Sequence, residues 1–274
     1  MYVPELIRKE GLRRGLSIRT IKTYKQCVRQ FFKHCSKDPR KVNKKDIKGH
    51  LDYLIERGSA GNTVNVYLNA LKFFYNEVLN KRLMVRIRFS RTPKTKPVFL
   101  TKEEMKRLFE SIGNPKHRLM VKLIYSAGLR VGELVHLRAK DFEFNQNYGW
   151  VRKGKGSKDR PFIIAESLKA DLIDYASKNC NDSSSWLFNG QKENHISVMT
   201  VQKIVREAAR KAGITKNVHP HTLRHSFATH LIDNGNRVIE VQSLLGHSSI
   251  ETTRTYLHTA HTMLISVKSP LDTL

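Results

Sequence analysis

One stretch, residues 219–256, constrains the fold and the chemistry of this chain more than any other. Its apolar residues recur at helical spacing, and Gly235 and Gly246 stand where helices usually end. The pattern predicts three consecutive helices, over 221–234, 237–245 and 249–258. A long helical segment of this kind has to bury its apolar faces against a larger core, so we expect the stretch to belong to a mainly helical domain.

Four polar side chains in this stretch suit phosphoryl transfer. His221 and Arg224 lie at i and i+3, on one helical face, and His247 precedes Tyr256 by nine residues. A guanidinium offers a fork of donors to phosphate oxygens, and an imidazole can donate or carry a proton near neutral pH. Tyrosine can act as a covalent nucleophile. Each cluster alone is equally compatible with a core tyrosine and ordinary polar histidines.

The motifs HTLRHSFATHL and LLGHSSIETTRTYLH resemble the C-terminal signature of the tyrosine recombinase (phage integrase) family, particularly its Xer branch. Two further motifs of that family occur in the expected order. GLRVGEL spans residues 128–134, and Gly154-Lys155-Gly156 lies in a segment that suits a β-hairpin turn. The resemblance covers roughly 98–260 strongly. It implies a mainly α fold with a small antiparallel β-sheet, in which an N-terminal helical bundle domain precedes an α+β catalytic domain.

The resemblance also implies a catalytic set with one supporting carboxylate. The set comprises Arg130, Lys155, His221, Arg224, His247 and Tyr256, and the carboxylate is Glu133. In this scheme the two arginines and His247 hold the oxygens of the scissile phosphate, and Tyr256 attacks to form a 3′-phosphotyrosyl link. His221 assists proton transfer, Lys155 protonates the departing 5′ oxygen, and Glu133 orients Arg130. The new link keeps the energy of the phosphodiester, so neither ATP, another cofactor nor a metal is required.

A metal site is the alternative use of the histidines. His221 and His225 lie at i and i+4, which is the spacing of a metal-binding pair. The glutamate of an H-E-x-x-H motif is missing, and no cysteine or further carboxylate is clustered with the pair. We therefore expect no metal, and we expect His225 and His230 to be structural.

The charge of the chain points to nucleic acid. The formal net charge is +26, and residues 1–97 hold 24 Lys or Arg against 7 Asp or Glu. Such an excess favours a polyanionic partner, with a membrane surface or a merely solvated basic face as alternatives. The candidate DNA contacts are Arg13, Arg14, Arg19, Lys22, Lys25, Lys44, Lys45, Lys48, Lys94 and Lys96.

Helical spacing predicts four helices in the N-terminal part, over 3–14, 18–36, 44–57 and 61–80. Their aromatic stripe keeps strict helical spacing, so we expect it to form a core rather than a surface for base stacking. We assign residues 1–84 to a DNA-binding bundle and residues 85–97 to a basic linker. Residues 98–274 form the predicted catalytic domain.

Within 98–274 the spacing predicts further helices and a change to strand periodicity. The helices are expected over about 102–112, from Pro115 to near Gly128, and over 131–138, 166–178 and 197–212, with three short antiparallel strands in 142–165. Residues 261–274 carry an apolar patch. The resemblance to Xer proteins implies that this tail docks on a neighbouring subunit and links four protomers around two duplexes.

Three features concern the compartment. The three cysteines are odd in number and form no C-x-x-C motif, which fits a reduced cytosol. The N-terminus lacks the apolar region of a signal peptide. No apolar run approaches membrane-spanning length. We therefore expect a cytoplasmic protein without membrane association.

The leading interpretation is a site-specific DNA recombinase of Xer type that resolves chromosome dimers and acts on duplex DNA with a two-armed pseudo-palindromic site. An integrase or excisionase of a mobile element remains open, although the chain has no room for an added arm-binding domain. A type IB topoisomerase would use the same chemistry. A non-catalytic DNA-binding regulator and a metal-dependent nuclease are the alternatives from other classes.

Overall fold

The computed structural model describes most of the chain, namely residues 2–81, 90, 98–152, 159–190, 194–245 and 269–274. The chain divides into two units, residues 1–95 and 96–274. The first unit is helical, and the second combines helices with one small sheet.

The N-terminal unit begins each of its middle helices at a side-chain cap. Its four α-helices are α1 (Val3–Arg13), α2 (Ile18–Cys35), α3 (Lys44–Glu56) and α4 (Gly61–Lys72). The Ser17 hydroxyl accepts from the Thr20 amide at 3.0 Å, and Asn43 forms a capping box with Asp46. These caps satisfy amides that have no partner within the helix, and so they fix where the helices start.

Helix α4 does not continue as a regular α-helix. A π-helical segment, Phe73–Val78, follows it directly, so the helix predicted over 61–80 changes its hydrogen-bond pattern after Lys72. In a π-helix each backbone hydrogen bond spans five residues, which is one more than in an α-helix. Here the segment carries the fully buried Phe74 and Tyr75 into the core.

The aromatic stripe forms a core, as predicted. Phe31 and Phe74 are fully buried, and Phe32 contacts Phe74 edge to face. Gly11 lets α1 approach α2 closely, because a Cβ there would lie 2.7 Å from the Cγ1 atom of Ile21. Ile55 is 52% exposed, because it lies in the last turn of α3, beyond the packed part of the helix.

Seven α-helices are described in the second unit, and α6 lies at its centre. They are α5 (Lys102–Glu110), α6 (Pro115–Ser126), α7 (Val131–Val135), α8 (Glu166–Asn179), α9 (Val198–Lys211), α10 (Pro220–Asp233) and α11 (Val238–Leu245). Most of α6 is buried, and α5, α7, α8, α9 and α10 all pack against it. A capping box of Thr101 and Glu104 opens α5, at the start of the helix predicted over 102–112.

Helix α7 is shorter than the predicted helix over 131–138. Arg138 has an extended backbone, and its amide donates to the Asp141 carboxylate at 2.8 Å instead of to a helical carbonyl. The chain thus turns at His136 and enters the sheet. The sheet is antiparallel in the order β1 (Phe142–Glu143), β2 (Tyr148–Val151) and β3 (Arg160–Ile163). The last pair between β2 and β3 is Val151 with Arg160.

The last residues of the chain lie against their own unit. Ser269 is buried, and its hydroxyl donates to the Ser126 carbonyl at 2.9 Å. The Asp272 carboxylate accepts from the Ser167 amide at 3.0 Å and so caps the start of α8. Leu271 and Leu274 pack on the core of the same unit. The remainder of the predicted tail, 261–268, lies outside the described residues.

None of the helices that the structure describes is long and apolar enough to cross a lipid bilayer.

Candidate active site

Arg130 is held at the turn between α6 and α7. Gly128 precedes it with φ of +57°, and a Cβ at Gly128 would lie 2.5 Å from the Phe227 ring. The turn therefore requires glycine both for its backbone conformation and for space. Arg130 is the N-cap of α7, and its amide and its Nη1 donate to the Glu133 carboxylate at 2.9 and 2.7 Å.

The Glu133 carboxylate is the centre of a cluster of arginines. Its Oε2 accepts from Nη2 of Arg160 at 2.6 Å and lies 3.8 Å from Nη1 of Arg224. The side chains of Glu133, Arg160 and Arg224 are 6%, 9% and 6% exposed, whereas that of Arg130 is 23% exposed. Arg130 is thus the member of the cluster that faces solvent most.

Arg224 is anchored from α10 across to two other segments. Its Nη1 donates to the Gly128 carbonyl and its Nη2 to the Leu245 carbonyl. The first contact joins α10 to the Arg130 turn, and the second joins it to the C-terminal end of α11. A planar fork with donors in fixed directions can make both contacts at once. The buried arginine thus holds together the two motifs that the sequence places 96 residues apart.

The cluster carries more positive than negative charge. Burial by itself would raise the pKa of Glu133, but the charge and hydrogen bond of Arg160 and the donors of Arg130 outweigh it and lower that pKa. Burial, together with the charges of Arg160 and Arg130, lowers the pKa of Arg224 to about 9. Three guanidiniums surrounding one carboxylate favour binding of a further anion, and a phosphate diester fits that requirement.

His221 lies one turn before Arg224 on α10 and is exposed. Its ring is 6.2 Å from that of His219 and 6.5 Å from that of His225. Partial loss of hydration, followed by the charges of His219 and Arg224, lowers the pKa of His221. A neutral imidazole at this position can accept a proton.

The comparisons with known proteins agree with this geometry. The family described as "Phage integrase family" matches residues 98–263, and "Phage integrase, N-terminal SAM-like domain" matches residues 6–84. The chain belongs to the phage integrase family of tyrosine recombinases. Tyrosine recombinases are enzymes that cleave and rejoin DNA, and the predicted family, fold class and enzyme class are all confirmed.

Individual relatives of this recombinase cover most of its length. It is 37% identical to the tyrosine recombinase XerA of Pyrococcus furiosus, over 88% of this chain and 84% of that protein. It is 32% identical to an integrase/recombinase of Escherichia coli, over 94% and 89%. It resembles the structure of the XerH recombinase bound to a palindromic difH substrate, with a TM-score of 0.68 and 25% identity over 89% of this chain and 77% of that one.

Several predicted site residues lie outside the residues that the structure describes. They are Lys155, His247 and Tyr256 of the catalytic set, and Lys94 and Lys96 among the candidate DNA contacts. The structure brings together the other members, Arg130, Glu133 and Arg224, with His221 next to them on α10. Their catalytic roles stay predictions.

The candidate contacts of the N-terminal unit differ in how they are paired. Arg13 and Arg14 both bind Glu10, at 2.9 and 2.8 Å, and Arg14 also binds Glu77. Part of their charge is therefore neutralised within the unit. The candidates on α2 and α3 are exposed or half-buried, namely Arg19, Lys22, Lys25, Lys44, Lys45 and Lys48.

Two histidines expected to be structural behave differently. His230 is buried and its Nδ1 lies 2.8 Å from the Tyr125 hydroxyl, which confirms the expectation for that residue. His225 is exposed on α10, so packing does not explain it. Within the described ranges, no group of three or more His, Cys, Asp or Glu is arranged to hold a metal ion. A metal-free reaction stays a prediction.

The sequence reasoning missed Arg160. Its side chain is nearly as buried as those of Glu133 and Arg224, and it pairs with the residue that anchors Arg130. The alternation of side chains along β3 could have indicated that Arg160 is buried. Arg160 and Phe162 are two residues apart on β3 and so share a face, and Phe162 is fully buried. A charged residue on the buried face of a strand requires a partner of opposite charge.

Proposed function

We propose that this recombinase exchanges DNA strands at a specific site through a 3′-phosphotyrosyl intermediate on Tyr256. The observation that carries the proposal is the cluster of Arg130, Arg160 and Arg224 around Glu133, which has excess positive charge and in which Arg130 is the most exposed arginine. Arg130 and Arg224 stabilise the charge on the phosphate oxygens in the transition state. His247 donates to the same oxygens.

The reaction balances without a cofactor. The phenol oxygen of Tyr256 bonds to the scissile phosphorus while the bond from phosphorus to the 5′ oxygen breaks. The phenol proton passes to His221, whose lowered pKa leaves its ring neutral. Lys155 gives a proton to the departing 5′ oxygen. A 5′ hydroxyl of a second duplex then attacks the phosphotyrosyl bond and releases Tyr256, which completes one strand exchange.

Covalent attachment tests this chemistry. A nicked duplex that loses its 5′ end after cleavage traps the protein on DNA, and we expect an adduct with the native chain and none with Tyr256→Phe. Tyr175→Phe is the matched control, because burial raises the pKa of Tyr175 to about 12 and makes it a poor nucleophile. An adduct that survives in Tyr256→Phe would place the nucleophile elsewhere.

The biological role that we propose is resolution of chromosome dimers at a two-armed pseudo-palindromic site in the cytoplasm. The 37% identity to XerA of Pyrococcus furiosus supports it. The similarity to an Escherichia coli integrase/recombinase supports the alternative, integration or excision of a mobile element. Mapping adducts on fragments of the host chromosome and on the ends of its mobile elements separates the two roles.

We also propose that the C-terminal segment links subunits in a tetrameric synapse. The surface that holds Ser269 and Asp272 accepts a short segment through defined hydrogen bonds with Ser126 and Ser167. The same surface on a neighbouring subunit offers the same partners. Removing 261–274 should leave binding to one duplex intact and reduce synapsis and recombination. Recombination at the native level by the truncated chain would contradict this part of the proposal.

A further inference from the structure

Arg160 is the one buried arginine of the cluster that neither sequence motif nor proposed mechanism uses. It stands at the first position of β3, directly after the hairpin segment that contains Lys155 in the sequence. Burial lowers its pKa, and Glu133 opposes that effect by charge and by a hydrogen bond. A buried cation at the start of a short strand is costly unless its partners are well placed, so its contacts define what it does.

Those contacts reach two segments that carry other parts of the site. Nη2 donates to Oε2 of Glu133 at 2.6 Å, and Nη1 donates to the Leu244 carbonyl at 2.6 Å. Glu133 in turn binds both the amide and the guanidinium of Arg130. Arg160 therefore stabilises the carboxylate that fixes Arg130, and it does so from the sheet.

The second contact fixes the end of α11. Arg160 and Arg224 donate to consecutive carbonyls, Leu244 and Leu245, at the C-terminal end of this helix. The last carbonyls of a helix have no partner within it and carry partial negative charge, so cations bind there favourably. His247 follows Leu245 by two residues in the sequence. The helix end that begins the LLGHSSIETTRTYLH motif is thus held by two buried guanidiniums.

We infer that Arg160 is a positioning residue of the cleavage reaction, which joins β3 to Glu133 and to the end of α11 and thereby sets the orientation of Arg130. A lysine cannot replace it, because a single ammonium lacks the fork that reaches a carboxylate and a carbonyl in different directions. The inference rests on the proposed function, since it assigns Arg160 to the reaction in which Arg130 binds the scissile phosphate.

The experiment compares cleavage rates of Arg160→Lys and Arg160→Gln with that of the native chain on the nicked duplex. We expect both variants to bind the duplex as the native chain does and to cleave about a hundredfold more slowly, which is the effect of misplacing one electrostatic donor. The matched control is Arg152→Gln, from the same hairpin. Arg152 is half-exposed and pairs with Asp159 at 3.0 Å, and its loss should leave the rate unchanged.

Two further measurements distinguish positioning from loss of stability. Leu168→Ala removes a fully buried side chain of α8 that is not part of the cluster, and it shows how far a lower melting temperature alone slows cleavage. A double-mutant cycle of Arg160→Gln with Glu133→Gln tests the route through Glu133. If Arg160 acts through Glu133, the double variant should be hardly slower than the slower single variant.

A substrate with a methylphosphonate at the scissile position adds a specific signature. It lacks the negative oxygen that Arg130 meets, so the defects of Arg160→Gln and Arg130→Ala should both shrink on it. Native rates in Arg160→Gln, or strictly additive effects in the cycle, would overturn the inference and leave the proposed function intact. Failure of the native chain to form an adduct on any duplex would overturn the proposed function itself.

Discussion

The two units of this recombinase hold their positive charge in opposite ways. In the N-terminal unit the lysines of α2 and α3, such as Lys22, Lys45 and Lys48, lie on the surface. In the catalytic unit Arg160 and Arg224 are buried around one carboxylate. Exposed cations interact with a polyanion through their number and are screened by salt. Buried cations act through their position, because a low dielectric strengthens each contact. The first arrangement suits affinity and the second suits chemistry.

The units also differ in how they treat a buried titratable group. The catalytic unit surrounds Glu133 with donors, and its carboxylate stays charged. The N-terminal unit buries His50 among the rings of Phe31, Tyr53 and Tyr67. Neither ring nitrogen of His50 has a hydrogen-bond partner within the part of the chain that the structure describes. One unit thus stabilises a buried charge, and the other tolerates only the neutral form.

Removal of a buried arginine should have the largest effect. Arg224→Ala deletes a proposed transition-state donor and leaves the Gly128 and Leu245 carbonyls without their partner. We expect cleavage to slow by about a thousandfold or more, the upper end for loss of one such group. Arg210→Ala, which removes an exposed arginine of α9, is the control. Equal cleavage rates in the two variants would contradict the proposal that the buried position of Arg224 is what makes its charge effective.

Lys155 should contribute through its proton rather than through its position alone. Lys155→Ala should slow cleavage about a hundredfold or more, as expected for loss of a general acid. A substrate with sulfur in place of the bridging 5′ oxygen has a leaving group that needs no proton, so it should restore cleavage by Lys155→Ala. It should not restore cleavage by Arg224→Ala. Equal defects of Lys155→Ala on both substrates would reduce Lys155 to a phosphate contact.

The stability of the N-terminal unit should depend on pH through His50. Burial, and to a lesser degree the charge of His34, lowers the pKa of His50 to about 4. In the unfolded chain it is about 6.5. The unfolded state therefore binds more protons between these values. This contribution to stability is complete above pH 6.5 and is lost as pH falls towards 4, by about 3 kcal/mol in all.

Amide hydrogen exchange of α2–α4 in the full chain measures this loss of stability locally. His50→Leu should remove the dependence between pH 6.5 and 4, because no group then takes up the proton on unfolding. His34→Leu is the matched control, since His34 is exposed and lies next to the His50 ring. The readout is the protection factor, which corrects for the slower intrinsic exchange at low pH. If protection factors in His50→Leu still fall on acidification as in the native chain, another group is responsible.

Sequence predicted what depends on local pattern and on family motifs. The residues that define α2 and α5 by their apolar spacing lie within a few positions of one another in the sequence, so both helices were predicted. The end of α7 was missed because Asp141, rather than a helical carbonyl, takes the Arg138 amide. The partnership of Arg160 with Glu133 spans 27 residues and joins a strand to a helix. Periodicity can indicate which residues are buried, but it does not indicate which distant residue each of them contacts.

The smallest expected effect on cleavage concerns the surface lysines. It tests whether the exposed charge of the N-terminal unit supplies affinity for DNA. Replacing Lys22, Lys45 and Lys48 with Gln removes three charges from the candidate surface of α2 and α3. If each meets a phosphate, the slope of log affinity against log salt should become shallower by about 0.9 per residue, so the loss of affinity should be greatest at low salt. The rate of cleavage by bound protein should not change, because these residues lie in the other unit from the arginine cluster.

A second triple variant tests whether the affinity for DNA depends on which surface lysines are replaced. Lys9, Lys33 and Lys41 are also exposed in the N-terminal unit but are not among the candidate contacts. Replacing them with Gln removes the same charge from other positions. A smaller change in slope for this variant would assign the phosphate contacts to the positions of Lys22, Lys45 and Lys48. Equal changes in slope would mean that the N-terminal unit attracts DNA through its total charge. Slower cleavage by bound protein in either variant would show that the surface lysines also affect the reaction at the arginine cluster.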